Sequence, residues 1–461
     1  MTDRQSPTGI LGAWIADAPS DWSAASRSVA TAAFVDCFAC MIAGSREEVT
    51  RRTLSAVRSW GQGAAGVVGQ GLGLPAPWAA LVNGTAAHAL DYDDILDPSL
   101  SHPSAVLVPA ILALAEEEGS VSGERCVDAW LVGLEVMARL GEAFNVSHYA
   151  LGWHTTLSLG APSAAAACAR LLGLDAVAAA HAIGLSASMS GGSKRQFGSM
   201  AKPLHAGLAA KSGVVAACLA RTGVEASADV FDGRWGLLEM TAGPEAAGFA
   251  ALAARLGGPP AAEQYGIWLK AWPSCGATHR PIEAALALRR QGGWKPEDIV
   301  SIEAFVSLSA QGNLRFIHPM NGAEARFCLP FCVGSALIDG RLDLASFRAE
   351  SIGRADIRNL TARFRMSLDP DLCDRGFGCA LAERGRVEIV LLSGQRLAAA
   401  CEHPPGHPGN PMSEAALRGK FTDCAGARGL GEAAAAELWS AAADLPERAA
   451  GRPLMPWRPA I

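Results

Sequence analysis

The chain has 461 residues, half of them hydrophobic and 18% charged, with a formal net charge of -6. That length exceeds what one compact core usually holds, so two to three domains are expected. The negative balance advertises no basic face for nucleic acid, and any cationic pocket has to be local.

In chain order, the N-terminal "MTDRQSPTGILGAW" lacks a basic segment followed by a long apolar run, so no signal peptide is expected. Cys37 and Cys40 in "AAFVDCFACMIAG" are the one Cys-x-x-Cys, on an apolar helical stretch with no second pair at zinc-finger spacing, which points to a buried structural pair. No uninterrupted run of about 20 apolar residues is seen, and the expectation is a cytoplasmic protein with no membrane partner.

As far as residue 265 the apolar positions recur at three- and four-residue spacing, as in "SAVLVPAILALAEEEG", "CVDAWLVGLEVMARLGEAF" and "GLAAKSGVVAACLARTG". Many of these runs end in glycine, which suits a left-handed cap, and their alanine and glycine content lets helices approach closely. From about 266 to 400 the pattern changes. "DIVSIEAFVSL" and "GRVEIVLLSGQRLAAACEH" alternate and are rich in Val and Ile, with a hairpin turn at Ser393-Gly394, while "CLPFCVGSALIDG" between them reads as helix. The predicted fold is therefore mainly α: a large all-α domain over 1–265, joined again by 401–461 through a Pro/Gly linker, plus a smaller α+β lid domain over 266–400.

Chemistry concentrates in four segments. "HALDYDDILDPSLSHPS" carries His88, Asp91, Asp93, Asp94, Asp97 and His102. His88 and Asp91 are three apart at the end of an apparent helix and so share a face. Three readings stay open for this segment: a metal site on His88, Asp91, Asp94 and His102; an acid/base pair of Asp91 and His102; or capping and solvated carboxylates. In "GWHTTLSLGAPSAAAACARLLG", His154 and Thr155 stand where an apolar helix begins, a place that attracts carboxylate and favours neutral imidazole. "SGGSKRQFGSMAKPLHAGLAAKSG" brings Lys194, Arg195, Lys202 and His205 to a Gly-rich loop and helix start. In "KAWPSCGATHRPIEAALALRR", Thr278 is a good N-cap and His279 falls on the first turn, while Cys275 reads as a small hydrophobe.

Taken in order, "NGTAAHALDYDDILDPSLSHPSAVLVPAILALAEE", "GWHTTLSLGAPSAAAACARLLGLD", "GSMAKPLHAGLAAKSGV", "KAWPSCGATHRPIEAA" and "GNPMSEAALRGKF" resemble the MmgE/PrpD family over nearly the whole chain. Its members dehydrate 2-methylcitrate, decarboxylate cis-aconitate or epimerise iminodisuccinate. The resemblance implies a helical domain with an α+β lid, usually a homodimer, working on a small polycarboxylate with neither metal nor organic cofactor. Carried over, its catalytic and binding positions fall on Asp91, His102, His154, Lys202 and His279; the reading of the segments themselves adds Lys194, Arg195, His205 and Thr155 as candidates for substrate binding. Ile95 stands where the family often has Thr or Ser, so a hydroxyl contact to substrate is expected to be missing. The fragments "HYALGWHTT" and "KAWPSCGATHRP" look closest to the epimerase branch. Two other classes are carried beside this one: a metal-dependent hydrolase using His88, Asp91, Asp94 and His102, and a non-catalytic helical scaffold.

Overall fold

The structure, a computed structural model, describes residues 5–369, 384–451 and 454. The chain is mainly helical, and it divides into two compact units. The first comprises residues 1–195, 201–269 and 413–461, and the second residues 196–200 and 270–412.

In the first unit the helices begin and end where local chemistry sets them. Ser23, Ser122 and Asp175 cap the helices Ala24–Gly44, Gly123–Phe144 and Ala176–Ala187 by accepting a backbone N–H three residues on. The helices Pro103–Glu118 and Gly160–Leu172 stop at Gly119 and Gly173, each with φ of 67°. Small residues then let the helices close on one another. A Cβ added at Gly84, on helix Ala76–His88, would lie 2.8 Å from the Cα of Gly207, on helix Ala201–Arg221. One added at Gly213 would lie 2.4 Å from the Cβ of Ala164. These approaches need hydrogen at the contact and are the use to which the Ala/Gly composition is put.

Two helices, Ala24–Gly44 and Ala201–Arg221, are long and apolar enough to cross a bilayer by length and composition, with mean hydropathy of 1.4 and 1.3. Both are largely covered by neighbouring helices, and the second carries Lys202 and His205 among its buried residues.

The second unit is built on a four-stranded mixed sheet. Strand Ile299–Val306 pairs in parallel with Phe364–Leu368 and antiparallel with Gly385–Leu391, which in turn pairs antiparallel with Arg396–Cys401. The last pair is a hairpin turned at Gly394, with φ of 83°, as its sequence leads one to expect. Alternate residues Ile302, Ala304 and Val306 point into a core shared with helices Gly276–Gln291 and Leu329–Asp339. The helix Gly276–Gln291 starts one turn before the expected cap. Thr278 is inside it, and its hydroxyl donates to the Cys275 carbonyl at 2.7 Å. The Pro/Gly stretch after residue 403 lies in this unit, folded on itself by the stacked rings of His403 and His407 and by Asn410 donating to the His403 carbonyl. The Cys373 and Cys379 positions lie outside the described residues; Cys37 and Cys40 are buried and unbridged on helix Ala24–Gly44.

Candidate active site

The Gly84/Gly207 contact aligns two helix ends. His88 is the last residue of Ala76–His88, and Lys202 is the second of Ala201–Arg221. The Lys202 Nζ donates to His88 Nε2 at 2.9 Å and lies 3.1 Å from Asp91 Oδ2. The opposite ring nitrogen of His88, Nδ1, meets both carboxylate oxygens of Asp93 at 2.9 and 2.8 Å. A carboxylate can only accept, so His88 carries its proton on Nδ1 and turns the Nε2 lone pair to Lys202. Burial outweighs the Asp93 charge and holds the His88 imidazole below its usual pKa, so the ring is neutral and serves as acceptor.

Asp91 is not on the helix that His88 ends. The chain leaves the helix at His88, and Asp91 has φ of 51°, in the left-handed region that costs an ordinary residue energy. That turn aims its carboxylate at Lys202 and at His102, whose Nε2 is 4.0 Å away. Strained backbone of this kind persists where surrounding contacts over-determine it, and it gathers at functional sites.

His102 precedes helix Pro103–Glu118. Its N–H donates to Thr156 Oγ1 at 3.3 Å, and its Nδ1 meets the Asp94 carbonyl at 2.8 Å, which leaves Nε2 as the nitrogen on the Asp91 side. Its side chain is 12% exposed, against 4% for Asp91, so within the group it is the more open to solvent. Asp94 has a separate task. Its two oxygens accept from the Ser104 N–H at 3.0 Å and the Ser104 hydroxyl at 2.5 Å, capping the helix start. Burial pushes its carboxyl up to about 7 against those bonds. Thr155 is buried, with its hydroxyl donating to the Leu100 carbonyl at 2.6 Å. Ile95 exchanges two backbone hydrogen bonds with Trp268.

His154 is the residue before the short helix Thr155–Ser158, and its Nδ1 lies 2.8 Å from Nδ1 of His205. One of the two nitrogens must carry a proton and the other accept it, so the tautomers of His154 and His205 are coupled. Burial, followed by the Lys202 ammonium, holds His154 well below the usual imidazole range. Burial likewise brings His205 down to about 4. The rings of His88 and His154 stack at 5.9 Å, and those of His88 and His102 lie 4.4 Å apart.

The remaining sequence candidates have partners of their own. Lys194 donates to the Tyr149 carbonyl and lies 3.6 Å above the Tyr149 ring, and Arg195 is exposed on the same short turn. His279 belongs to the second unit, fully buried on helix Gly276–Gln291, with its ring edge-on to Trp272 at 5.1 Å.

Among the described residues, two sets of donor atoms are close enough to share one ion: ring nitrogens of His88, His102 and His154, and a set from His88, Asp91, Asp93 and His102. Asp94, a ligand in the metal reading of the sequence, is not among them and caps a helix instead. A cation is already in place between His88 and Asp91, the Lys202 ammonium.

One ammonium, four imidazoles and two carboxylates thus lie together in a largely buried cluster in the first unit. His88 and Asp93 escaped a reading centred on one acid/base pair, although the run "HALDYDD" contains both. The positive φ at Asp91 left no signal in the sequence.

Comparison with known proteins agrees in family. The MmgE/PrpD N-terminal domain model matches residues 10–250 and the C-terminal domain model residues 272–445. A human cis-aconitate decarboxylase is 28% identical over 365 residues, covering 76% of this chain and 72% of its own. An Aspergillus terreus cis-aconitate decarboxylase is 26% identical over 426 residues, covering 85% and 83%. A cis-aconitate decarboxylase-like protein of Aspergillus oryzae is 31% identical over 245 residues, about half of each chain.

Proposed function

The chain belongs to the MmgE/PrpD family, and from that premise we propose that it is a lyase removing carbon dioxide or water from a small di- or tricarboxylate. The observation that carries this reading is the Lys202 ammonium held between His88 Nε2 and Asp91 in a buried cluster beside the rings of His102 and His154.

A carbon next to a carboxylate gives up a proton or carbon dioxide only if the negative charge left behind is stabilised. In water that stabilisation is weak. In a dry pocket one preorganised donor contributes about 2.7 to 4 kcal/mol to the transition state. Lys202 is assigned the substrate carboxylate and the developing charge, with His154 as a neutral donor beside it. Asp91 and His102 are assigned the proton, since their shared approach lets one hold it while the other gives it up. His205 is assigned the tautomer of His154. His279 is kept as a catalytic position, as the family resemblance implies, and Lys194, Arg195 and Thr155 are kept as candidate contacts to substrate. We propose also that the enzyme is a cytoplasmic homodimer using neither metal nor organic cofactor.

Incubation in heavy water with cis-aconitate, methylcitrate, iminodisuccinate and related di- and tricarboxylates, followed by mass analysis, tests the reading. Loss of carbon dioxide or water from one of them is the expected result. Deuterium uptake without change of formula would replace the lyase by an epimerase, the branch favoured by the fragments "HYALGWHTT" and "KAWPSCGATHRP". No change in any of them would contradict both.

A further inference from the structure

The motif "GNPMSEAALRGKF" is part of the family resemblance, yet none of the assigned roles uses it. Its lysine, Lys420, lies on helix Glu414–Gly426 and is buried, with a side chain 3% exposed. The ammonium is 2.6 Å from Asp36 Oδ1, on helix Ala24–Gly44, and donates to the Tyr92 carbonyl at 2.7 Å. It also lies 4.0 Å from the centre of the Tyr92 ring. A buried ammonium is costly, and a carboxylate, a carbonyl and an aromatic face together are the partners that make one tolerable. The Asp36 charge outweighs part of that burial and raises the lysine's pKa, so Lys420 is a permanent cation.

What it grips is the residue between two site carboxylates. Tyr92 separates Asp91, in the left-handed region and directed at Lys202, from Asp93, bonded to His88. Fixing the Tyr92 carbonyl fixes the Tyr92–Asp93 peptide plane, and fixing its ring fixes the Cα that follows Asp91. We propose that Lys420 is a positioning residue for catalysis: with Asp36 it clamps Tyr92 from behind and so holds the Asp91 turn in its productive conformation. Lys420 lies 328 residues from Tyr92 along the chain, so a helix late in the sequence supports a cluster whose residues come from positions 88 to 205.

The kinetic arm of the test rests on the proposed lyase reading; the exchange arm does not. Lys420→Met leaves the Asp36 carboxylate buried without its cation and is expected to lower Tm. The double variant Asp36→Asn/Lys420→Met removes both charges and is expected to recover Tm, since a lost buried pair need not destabilise. In the substrate-free double variant, amides of residues 88–102 are expected to exchange about tenfold faster or more, with helix Gly123–Phe144 unchanged. With whichever polycarboxylate the wild type turns over, kcat of the double variant is expected to fall by about 10- to 100-fold while KM stays close to wild type. A double variant with wild-type exchange over 88–102 would overturn the clamp. So would one that recovers kcat together with Tm, which is what a purely structural ion pair would do. If the wild type turns over no polycarboxylate, the lyase reading fails, and the exchange result alone decides the clamp.

Discussion

His88 and Lys202 meet at 2.9 Å, with the imidazole accepting, because Asp93 holds the ring proton on the far nitrogen. The pair is a helix C-terminus facing a helix N-terminus, brought together by the glycine contact four residues before His88 and five after Lys202. His88→Phe keeps a flat ring but removes the acceptor, so the ammonium loses a partner that aims it. Because Phe also leaves the buried Asp93 carboxylate without its ring donor, Tm is expected to fall, and kcat of the folded variant to fall by about 100-fold. Steady-state kinetics beside circular dichroism check this, and wild-type kcat would show that His88 does not aim Lys202.

Stability should fall on the acid side. His205 and His148 titrate in the folded protein near 4, chiefly because burial disfavours their charged forms, and His154 and His88 are also lowered. The unfolded chain takes up protons at these residues near 6.5 while the folded one does not. Each therefore removes about 1.4 kcal/mol per pH unit as pH drops below 6.5, until its folded value is reached. Asp94 works the other way: its folded value near 7 means it favours the folded state below about 3.8 and loses that contribution as pH rises through 7. Burial raises the Glu135 carboxyl as well, and four imidazoles against two carboxyls leave a net loss between pH 6.5 and 4. Denaturant melts across that window should show it, and a flat or rising stability towards pH 4 would contradict the neutral imidazoles.

The Asp94 cap is structural in this reading. Ser104→Ala removes the hydroxyl that donates to Asp94 and accepts from Trp130 Nε1. A loss of about 1 to 3 kcal/mol in stability is expected, with KM little changed. Urea melts and kinetics on the same preparation separate the two effects.

Exhaustive treatment with a chelator should leave turnover unchanged, because Lys202 supplies the cation that His88 and Asp91 face. Activity lost in chelator and restored by a divalent ion would instead support the cluster His88, Asp91, Asp93 and His102 as a metal centre.

Much of the fold was legible. Apolar spacing marked the helices, Val/Ile alternation marked Ile299–Val306 and Gly385–Leu391, and Gly394 turned the hairpin. Within the site, the family resemblance pointed to Asp91, His102, His154 and Lys202, which the first unit brings close together, and also to His279, which belongs to the second unit. What stayed hidden was the backbone. Helical spacing placed Asp91 on the face of His88, but the chain breaks at His88 and a positive φ re-aims Asp91, which no period reports. Side-chain assignments within "DYDD" were hidden for the same reason: which aspartate pairs with His88 and which caps Ser104 depends on where the turn points them. The Lys420–Asp36 pair was invisible because its partners lie at opposite ends of the chain.

Turnover by Lys202→Met and His154→Ala, measured on the substrate the wild type consumes, is the most direct test of a buried ammonium and imidazole gripping a polycarboxylate. Both variants are expected to remain folded by circular dichroism and to lose about 100-fold or more in kcat. Wild-type rates in both would contradict it.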